Sequence, residues 1–362
     1  GPAVAPPGGP AYGQVMTRFA MVGAGFRASV FWEVAQGAGL ECVGAVVRTP
    51  RSLPVPAYAS LDEVVAAAKP DFVVTSTSWD ATPELARECT ARGLPVLCET
   101  PPAADAAGLA ALWHDVGAAG LVQVAEQYPR MPLHAARLAA VRSGAIGTPT
   151  QVHVSSTQTY HALALVRAFL AVGHEPVTVR AVSFRAPLVQ PLSRAGWTDD
   201  DTPHDASTVL ATFDFGDGRS ALYDFTDNQT RNLLRTRRLL VRGTRGEIND
   251  DLAVRLTAPR TIQRQPFLRR QTGHDLEMNT YGSDHIALGD TVTWRNPFPD
   301  QRWNDDEIAV ATLLADTARW VRDEGPAPYP LADAATDHLM SLAVAEAVAT
   351  DAPVRVEAGT WA

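Results

Sequence analysis

The chain has 362 residues, 46% of them hydrophobic and 20% charged, with a formal net charge of −9. A chain of this length is expected to form two domains, and no apolar run approaches the roughly 18 residues of a membrane span. The acidic balance argues against a nucleic-acid-binding protein, which would present a basic face. We therefore expect a globular protein with no membrane or nucleic-acid partner.

The first 15 residues are rich in proline, glycine and alanine, and they lack a charged segment followed by an apolar block. They predict a disordered leader rather than a secretory signal, with Met16 as a plausible native start. Cys42, Cys89 and Cys98 lie in apolar stretches without metal-ligand spacing. This pattern predicts buried free thiols in a reducing, cytoplasmic compartment and no metal site.

From Arg18 onward, short apolar runs alternate with amphipathic stretches, which is typical of βαβ units and a parallel sheet. Within this pattern Ser60 and Glu63 form the ends of a predicted capping box at a helix start. Thr82 is predicted to cap the next helix, with Pro83 at the first helical position. The predicted fold class of residues 16–147 is therefore α/β, a Rossmann domain with a doubly wound parallel sheet.

The pattern changes after Gly147, where strands follow one another with few helices between them. Such a succession indicates an open, mainly antiparallel sheet, so residues 148–362 are predicted to form an α+β domain. The predicted strands lie at 151–157, 177–184, 207–215 and 220–225, with another beginning at Leu239, and the predicted helices at 160–172, 305–324 and 331–350. Residues 258–304 are polar and arginine-rich, and we expect them to form long loops.

The segment Gly23-Ala-Gly25-Phe26-Arg27-Ala28 has the form G-x-G-x-x-A between a predicted strand and a predicted helix. In that setting the first glycine makes a tight turn, the second admits the backbone to a pyrophosphate, and the small Ala28 allows close helix–strand packing. The phosphates lie at the helix N-terminus, where free amides and the helix dipole favour anions. We therefore predict a dinucleotide site formed by these residues, Phe26 and Arg27 included.

The end of the second strand distinguishes between the two nicotinamide dinucleotides. An acidic residue there would bind the ribose 2′-hydroxyl of NAD, but the chain has Arg48, Thr49 and Arg51 instead. Guanidiniums suit a dianionic 2′-phosphate, because arginine makes bidentate contacts to phosphate. We predict NADP(H), with NAD(H) left open, since these arginines are also consistent with a solvated basic loop.

Several motifs, in this order, resemble the glucose–fructose oxidoreductase / inositol dehydrogenase (Gfo/Idh/MocA) family. They are Gly23-Ala-Gly25, Thr75-Ser-Thr77-Ser, Val96-Leu-Cys-Glu99-Thr-Pro101, Arg130-Met-Pro132, Ser143-Gly-Ala-Ile-Gly147 and Gly243-Thr-Arg-Gly-Glu247. The resemblance implies hydride transfer at a carbinol or carbonyl carbon, typically of a sugar or cyclitol. It also implies a homodimer or homotetramer formed through the second-domain sheet.

From these motifs and their neighbours we assign Thr77 and Glu99 to the cofactor, and Tyr128 and Arg130 to the substrate. The chain departs from the family at its catalytic groups. The family's Glu-Lys-Pro lysine is replaced by Thr100, and the only lysine of the chain, Lys69, follows a different predicted helix. The resemblance keeps the family's histidine as His161, while its two aspartate positions are Thr157 and Ala164. Only the imidazole of the usual proton-handling set remains.

His161 is predicted to lie at a helix start, where the helix dipole disfavours the imidazolium by roughly 0.3–1 kcal/mol. A neutral ring can accept a proton, although a capping or packing role is also consistent with this position. Tyr160 beside it is a candidate acid or a packing residue. We predict that His161 is the acid/base and that Thr100 and Tyr160 donate hydrogen bonds to the reacting oxygen.

The function predicted from the sequence is an NAD(P)-dependent oxidoreductase with a non-standard active site. Two alternatives stay open. One is an enzyme that uses the cofactor without net redox change, as in an elimination or glycoside cleavage. The other is an NADP-binding regulator that has lost catalysis together with the lysine.

Overall fold

The computed structural model describes residues 16–49, 51–273 and 282–361. The predicted leader, residues 1–15, lies outside this range. Within it, no helix is both long enough and apolar enough to cross a membrane, and Cys42, Cys89 and Cys98 are all free thiols.

The N-terminal part of the chain is built on a six-stranded parallel sheet with the strand order β3-β2-β1-β4-β5-β6. Its elements are β1 (Thr17–Val22), α1 (Phe26–Ala35), β2 (Leu40–Val46), β3 (Ala57–Tyr58), α2 (Leu61–Ala68), β4 (Phe72–Thr75), α3 (Thr82–Ala91), β5 (Val96–Cys98), α4 (Ala106–Val116), β6 (Val122–Val124) and α5 (Pro132–Arg142). The direction of winding reverses between β1 and β4, so a crevice opens at their carboxyl ends, where such folds bind ligands. The predicted Rossmann sheet is confirmed.

Two predicted helix caps differ from the structure in detail. The Ser60 side chain accepts a hydrogen bond from the Glu63 amide, as predicted, but the Glu63 carboxylate accepts from the amide of Ala59 instead of Ser60. The prediction that Thr82 caps α3 is wrong, because Thr82 is already helical and Ala81 holds the cap position. The Thr82 hydroxyl donates backwards to the carbonyl of Ser78 and is not available to the free amides of the first turn.

The C-terminal part of the chain is built on an eleven-stranded sheet in the order β18-β17-β16-β15-β14-β13-β7-β12-β11-β8-β19. Its elements are β7 (Pro149–Ser155), α6 (Thr159–Leu170), β8 (Val177–Leu188), β9 (Leu192–Ser193), β10 (Gly196–Trp197), β11 (His204–Asp214), β12 (Ser220–Thr226), β13 (Arg238–Gly243), β14 (Gly246–Asn249), β15 (Leu252–Ala258), β16 (Thr261–Thr272), β17 (Gly282–Leu288), β18 (Thr291–Arg295), α7 (Asp305–Val321), α8 (Leu331–Thr350) and β19 (Val354–Val356). Strands β9 and β10 form a separate two-stranded hairpin. Neighbours in the large sheet are antiparallel except β7 and β12, which confirms the predicted architecture.

The prediction of long loops over residues 258–304 is wrong. This segment forms β16, β17 and β18, which extend the large sheet to its edge. Strand β16 is exposed over much of its length, with Ile262 70% and Leu268 60% exposed. Because its apolar side chains do not all point into a core, the alternation that reveals a half-buried strand is missing from the sequence.

Helix α7 packs on the first domain although the elements before and after it in the chain, β18 and α8, belong to the second sheet and its core. Val310, Leu313 and Leu314 share a buried cluster with Phe31 and Val34 of α1. A separate, larger core lies between the eleven-stranded sheet and helices α5, α6 and α8. The division at residues 147 and 148 stays a prediction, but the packing joins α7 to the Rossmann core.

We expect Leu314→Ala to lower the free energy of unfolding by about 2–5 kcal/mol, because the truncation leaves a cavity between α1 and α7. Leu314 is fully buried. Urea denaturation measures the effect, with Leu233→Ala as the matched control, since Leu233 is 64% exposed. An equal loss of stability in both variants would contradict the assignment of α7 to the Rossmann core.

Candidate functional site

A cavity of about 680 Å³ lies at the carboxyl ends of β1, β2 and β4. It is lined by the turn that joins β1 to α1, by the end of β2 and by the segment that follows β4. The residues of the predicted cofactor site that line it are Gly23, Arg48, Thr49, Arg51 and Thr77. The structure therefore brings together two motifs and a threonine that are distant in the sequence.

The turn after β1 has the geometry that a dinucleotide cradle requires. Gly23 has φ +103°, and a Cβ there would lie 2.2 Å from the carbonyl oxygen of Ser76. Gly25 begins α1, and a Cβ on it would meet no atom within 4 Å. The first amides of the helix lack intrahelical acceptors, and the buried Thr77 hydroxyl has no hydrogen-bond partner among the described residues. These groups fit the phosphates of a dinucleotide.

The side chains after β2 leave positive charge beside this cradle. Arg48 is exposed and makes no ion pair within the described part of the chain, and Arg51 donates to the carbonyl of Ala24 at 3.3 Å. Glu84 and Glu88 of α3 line the same cavity. Each is compensated, because Glu84 lies 3.6 Å from Arg87 and Glu88 lies 3.1 Å from Arg92. The two glutamates were not expected from the sequence.

A second cavity, of about 450 Å³, lies between the end of β5 and the start of α6. All three predicted catalytic residues, Thr100, Tyr160 and His161, line it together with Tyr128. The predicted cofactor residues Phe26, Arg27 and Glu99 line it as well. The structure thus places the N-terminus of α1 and the proton-handling candidates around one cleft.

His161 is paired with a carboxylate that the sequence analysis missed. Its Nδ1 lies 2.6 Å from Oε2 of Glu126, which is only 2% exposed. With an ionised Glu126 as acceptor, Nδ1 carries the ring proton, and in the neutral ring Nε2 is then the acceptor. Glu126 opposes the helix-dipole effect from which a neutral ring was expected, because a negative charge stabilises the imidazolium. The sequence signal that could have revealed Glu126 is the polar pair Glu126-Gln127, which lies one residue beyond the buried strand β6.

Two tyrosine rings fix the orientation of the imidazole. Tyr128 stacks on His161 with ring centroids 4.3 Å apart, and Tyr160 packs on it in a tilted arrangement, also at 4.3 Å. The Tyr160 hydroxyl donates to Oε1 of Gln158 at 2.8 Å. Burial raises the pKa of Tyr160 to about 12. Tyr160 is therefore a poor acid near neutral pH and is suited to donate a hydrogen bond.

Arg27 links Glu99, which follows β5, to Asp306 of α7. Arg27 Nε donates to Glu99 at 2.9 Å, and Nη1 donates to Asp306 of α7 at 3.0 Å. The remaining nitrogen, Nη2, is buried and has no partner among the residues described. Arg27 therefore has one donor left for a ligand, while most of its guanidinium fixes α1 against α7.

Arg130, predicted to bind substrate, is not among the residues that line either cavity. Its guanidinium donates to Asp316 at 2.8 Å, to the carbonyl of Glu126 at 3.2 Å and to the carbonyl of Pro328 at 2.8 Å. These contacts occupy the side chain in a structural role. They hold the segment that carries Glu126 against α7.

The residues at which the sequence analysis expects departures from the family place no charge in the second cavity. Lys69 is exposed at the end of α2, away from both cavities. Thr157 and Ala164 are buried and bring no charge to the cleft. Within the described residues, no group of three or more His, Cys, Asp or Glu is placed to hold a metal ion.

Solved structures with the same two-domain fold span nearly the whole chain. An oxidoreductase from Agrobacterium radiobacter in complex with NAD⁺, L-tartaric acid and magnesium has a TM-score of 0.68 at 17% identity, over 94% of this chain and 98% of that chain. A myo-inositol dehydrogenase from Corynebacterium glutamicum has a TM-score of 0.64 at 20% identity, over 95% and 99%. Levoglucosan dehydrogenase in complex with NADH and levoglucosan has a TM-score of 0.67 at 17% identity, over 94% and 99%. These likenesses show a shared fold.

A search of curated protein sequences finds no match. Residues 17–127 match the family GFO_IDH_MocA, described as an oxidoreductase family with an NAD-binding Rossmann fold. The matched stretch runs from β1 to the residue after Glu126 and includes the whole cradle. Residues 17–127 are therefore similar to the NAD-binding Rossmann fold of the Gfo/Idh/MocA oxidoreductase family, in agreement with the six-stranded parallel sheet.

Proposed function

We propose that the protein is an NADP(H)-dependent oxidoreductase that acts on a carbinol or carbonyl carbon of a small, polar, sugar-like substrate. The observation that carries the proposal is the buried His161–Glu126 pair in a cleft that also contains the N-terminus of α1. Two solved structures of the same fold are those of an inositol dehydrogenase and a levoglucosan dehydrogenase, which supports a polyol or sugar-like substrate.

The cofactor is assigned to the first cavity. Gly23, Gly25, Thr77 and the first amides of α1 would bind the pyrophosphate, and Arg48 and Arg51 would bind the 2′-phosphate of NADP. When bound, the nicotinamide supplies or accepts the hydride. The remaining chemistry, orientation and proton transfer, belongs to the side chains of the second cavity.

Proton transfer is assigned to His161. In the neutral ring Nε2 accepts the proton of the substrate hydroxyl during oxidation, and the imidazolium returns it during reduction. Glu126 is a positioning residue, since it fixes the ring tautomer and stabilises the charged ring that forms. An aspartate performs this task in the Ser-His-Asp triad. The pair takes over the acid/base role that the absent lysine would have in the family.

Thr100 and Tyr160 are assigned to the reacting oxygen as hydrogen-bond donors. Because burial raises the pKa of Tyr160 to about 12, its hydroxyl keeps its proton at neutral pH and can donate to an alkoxide without ionising. This differs from the expected alternative in which Tyr160 is itself the acid. Thr100 follows β5 and lines the same cleft.

The open cleft favours an enzyme over a silent regulator. Loss of catalysis would allow side chains to fill the second cavity, whereas about 450 Å³ is open. The buried atoms Ser156 Oγ and Gln127 Oε1 belong to residues that line it, and they have no partner among the described residues. Unpaired buried polar atoms cost about 1–3 kcal/mol each, so these atoms support a ligand-binding role.

The proposal includes assembly through the large sheet and a cytoplasmic location. Phe184, Ile262 and Leu268 are exposed on strands of the large sheet, which supports a homodimer or homotetramer formed through it. Free thiols at Cys42, Cys89 and Cys98 are typical of proteins in the reducing cytoplasm.

We expect Gly25→Ala to fold normally but to weaken NADP⁺ binding at least about 10-fold, because its methyl group occupies space that a pyrophosphate would approach. Gly23→Ala is the matched variant, and it should destabilise the protein, since its Cβ would overlap the Ser76 carbonyl. Calorimetric titration and thermal unfolding measure the two effects. Unchanged affinity in the Gly25 variant would exclude this cradle as the phosphate site.

We expect the wild-type protein to bind NADPH more tightly than NADH, because Arg48 and Arg51 face no acidic competitor at the end of β2. The double variant Arg48→Ala/Arg51→Ala should lose affinity for NADPH while its affinity for NADH stays nearly constant. Titration calorimetry with both nucleotides measures the difference, and NADH is the internal control. Equal affinities of the wild type for NADPH and NADH would contradict the assignment of Arg48 and Arg51 to the 2′-phosphate.

We expect His161→Gln to lower turnover by about 10²–10⁴-fold, the usual contribution of general acid–base catalysis. NADPH affinity should change little, because the cradle is in the other cavity. The ionisation in the wild-type pH profile of turnover should disappear in this variant, and Glu126→Gln should shift it. His114→Gln is the matched control, because the His114 side chain is 88% exposed on α4.

Thermal unfolding establishes first that both site variants are folded. Near wild-type turnover in folded His161→Gln would contradict the proposed base. Substrate consumption without net change in NADPH would instead identify the elimination or glycoside-cleavage chemistry that the sequence left open.

A further inference from the structure

The substrate cleft contains arginines that the proposed mechanism does not use. Arg194, Arg231 and Arg237 line the 450 Å³ cavity that contains His161. Arg194 and Arg231 also line an adjoining cavity of about 330 Å³, which shares Tyr128 and His161 with the first. Three guanidiniums in one cleft are unexpected in a chain whose net charge is −9.

The positive charge of these arginines is not compensated by the residues described. Arg237 donates only to the carbonyl of Thr230, and the side chains of Arg194 and Arg231 have no hydrogen bond or ion pair with any described residue. The two carboxylates that line the same cavity, Glu99 and Asp306, are both paired with Arg27.

A neighbouring histidine adds no charge of its own to the cleft. Burial lowers the pKa of His134 to about 3, with a further contribution from the guanidiniums of Arg137 and Arg237. The ring is therefore neutral and available as a polar contact. The net charge left over in this part of the cleft is positive.

The backbone that carries the arginines is held by side-chain amides. Arg194 lies in the turn between β9 and β10, and Arg231 lies between β12 and β13. Asn228 Nδ2 donates to the carbonyl of Leu192 at 3.0 Å, and Asn232 Nδ2 donates to that of Val189 at 2.9 Å. The two segments are thus tied together without using either guanidinium.

A third amide anchors the same segment to the sheet. Gln229 is 3% exposed, and its Nε2 donates to the carbonyl of Ser155 at 3.1 Å and to its hydroxyl at 3.0 Å. Ser156, which follows Ser155 in the chain, has the unpaired buried hydroxyl described above. The two loops, held together by these amides, thus present free guanidiniums beside an unpaired hydroxyl. These are the features of a site that binds the polar groups of a ligand.

We propose that the substrate is an anion, carrying a carboxylate or a phosphate group that Arg194 and Arg231 bind. Arginine makes charge-assisted, bidentate contacts to both groups. Tyr128 and His161 border both cavities, so the two cavities adjoin. One small molecule can therefore place its reacting carbon beside His161 and its charged group beside the arginines. This inference rests on the proposed function, because the proposed role of His161 places the reacting carbon beside that residue and the charged group beside the arginines.

The test compares charged and neutral sugars on the protein with saturating NADP⁺. The probes are D-glucuronate for the carboxylate, glucose 6-phosphate for the phosphate and D-glucose as the neutral reference, at equal ionic strength. We expect at least one anion to bind about 10- to 100-fold more tightly than glucose, from hydrogen bonds to a charged group. The anion whose affinity exceeds that of glucose by the larger factor identifies which charged group the cleft accepts.

The double variant Arg194→Gln/Arg231→Gln should lose this gain, with glucose and NADP⁺ affinity unchanged. Arg235→Gln is the matched control, because Arg235 lies on the same segment but does not line either cavity. It should bind all probes like the wild type. Titration calorimetry measures binding, and nicotinamide absorbance measures hydride transfer in the same samples.

Three results would overturn the proposal. Anions that bind no more tightly than glucose would do so, as would a double variant that keeps the gain. A double variant that loses NADP⁺ affinity instead would assign the arginines to the cofactor. Arginine-dependent anion binding without hydride transfer supports the anion site while contradicting the proposed oxidoreductase. Oxidation of glucose with no preference for anions contradicts only the anion site.

Discussion

The carboxylate of Glu126, buried where β6 ends, accepts from the amide of Tyr128 through one oxygen and contacts His161 of α6 through the other. The carbonyl of the same residue accepts from Arg130, which pairs with Asp316 of α7. A buried charge is tolerated only where partners satisfy it. Glu126 therefore links the end of β6 to α6 and, through Arg130, to α7, and the second cavity lies beside these contacts.

The arginines near the second cavity are of two kinds, those paired with carboxylates and those without such a partner among the described residues. Arg27 and Arg130 lie next to the motifs of the Rossmann domain, and both are paired with acidic side chains of α7. Arg194 and Arg231 lie on loops of the second domain and have no such partner among the described residues. The first pair stabilises the domain arrangement, and the second pair leaves charge for a ligand. Proximity to a motif was therefore a poor guide to which arginine meets the substrate.

The sequence predicts what is local. The run of Gly23 to Ala28 after an apolar strand defines the cradle because its requirements, a tight turn and a small helix residue, are met within six positions. Helix α8 has the predicted bounds, since Pro330 precedes it and no proline or glycine interrupts residues 331–350. Strands β16 to β18 were missed because exposed strands show little alternation. Helix α7 was found, but its packing on α1 was not, because that contact joins distant parts of the chain.

The pairing of Glu126 with His161 could not be predicted for a related reason. The two residues are 35 positions apart and meet only because the end of β6 and the start of α6 face the same cleft. The residues of the loop pair, Arg194 and Arg231, are separated further and are aligned by amides whose partners are backbone carbonyls. Neither relation leaves a spacing pattern. What the sequence did predict was a threonine, Thr100, in place of the family's lysine, and the pair of His161 and Glu126 is the proton-transfer group that we propose instead.

That replacement changes where charge resides in the cleft. A lysine ammonium would bring a full positive charge to the reacting oxygen, whereas His161 and Glu126 together are neutral when the ring is protonated. The uncompensated charge resides instead on Arg194 and Arg231, which belong to loops separate from the dyad. In the function that we propose, proton transfer and charge recognition are thus carried by different residues. A neutral sugar would leave both guanidiniums without an anionic partner. The charged group of an anionic sugar, at the end of the molecule that does not react, would neutralise their charge.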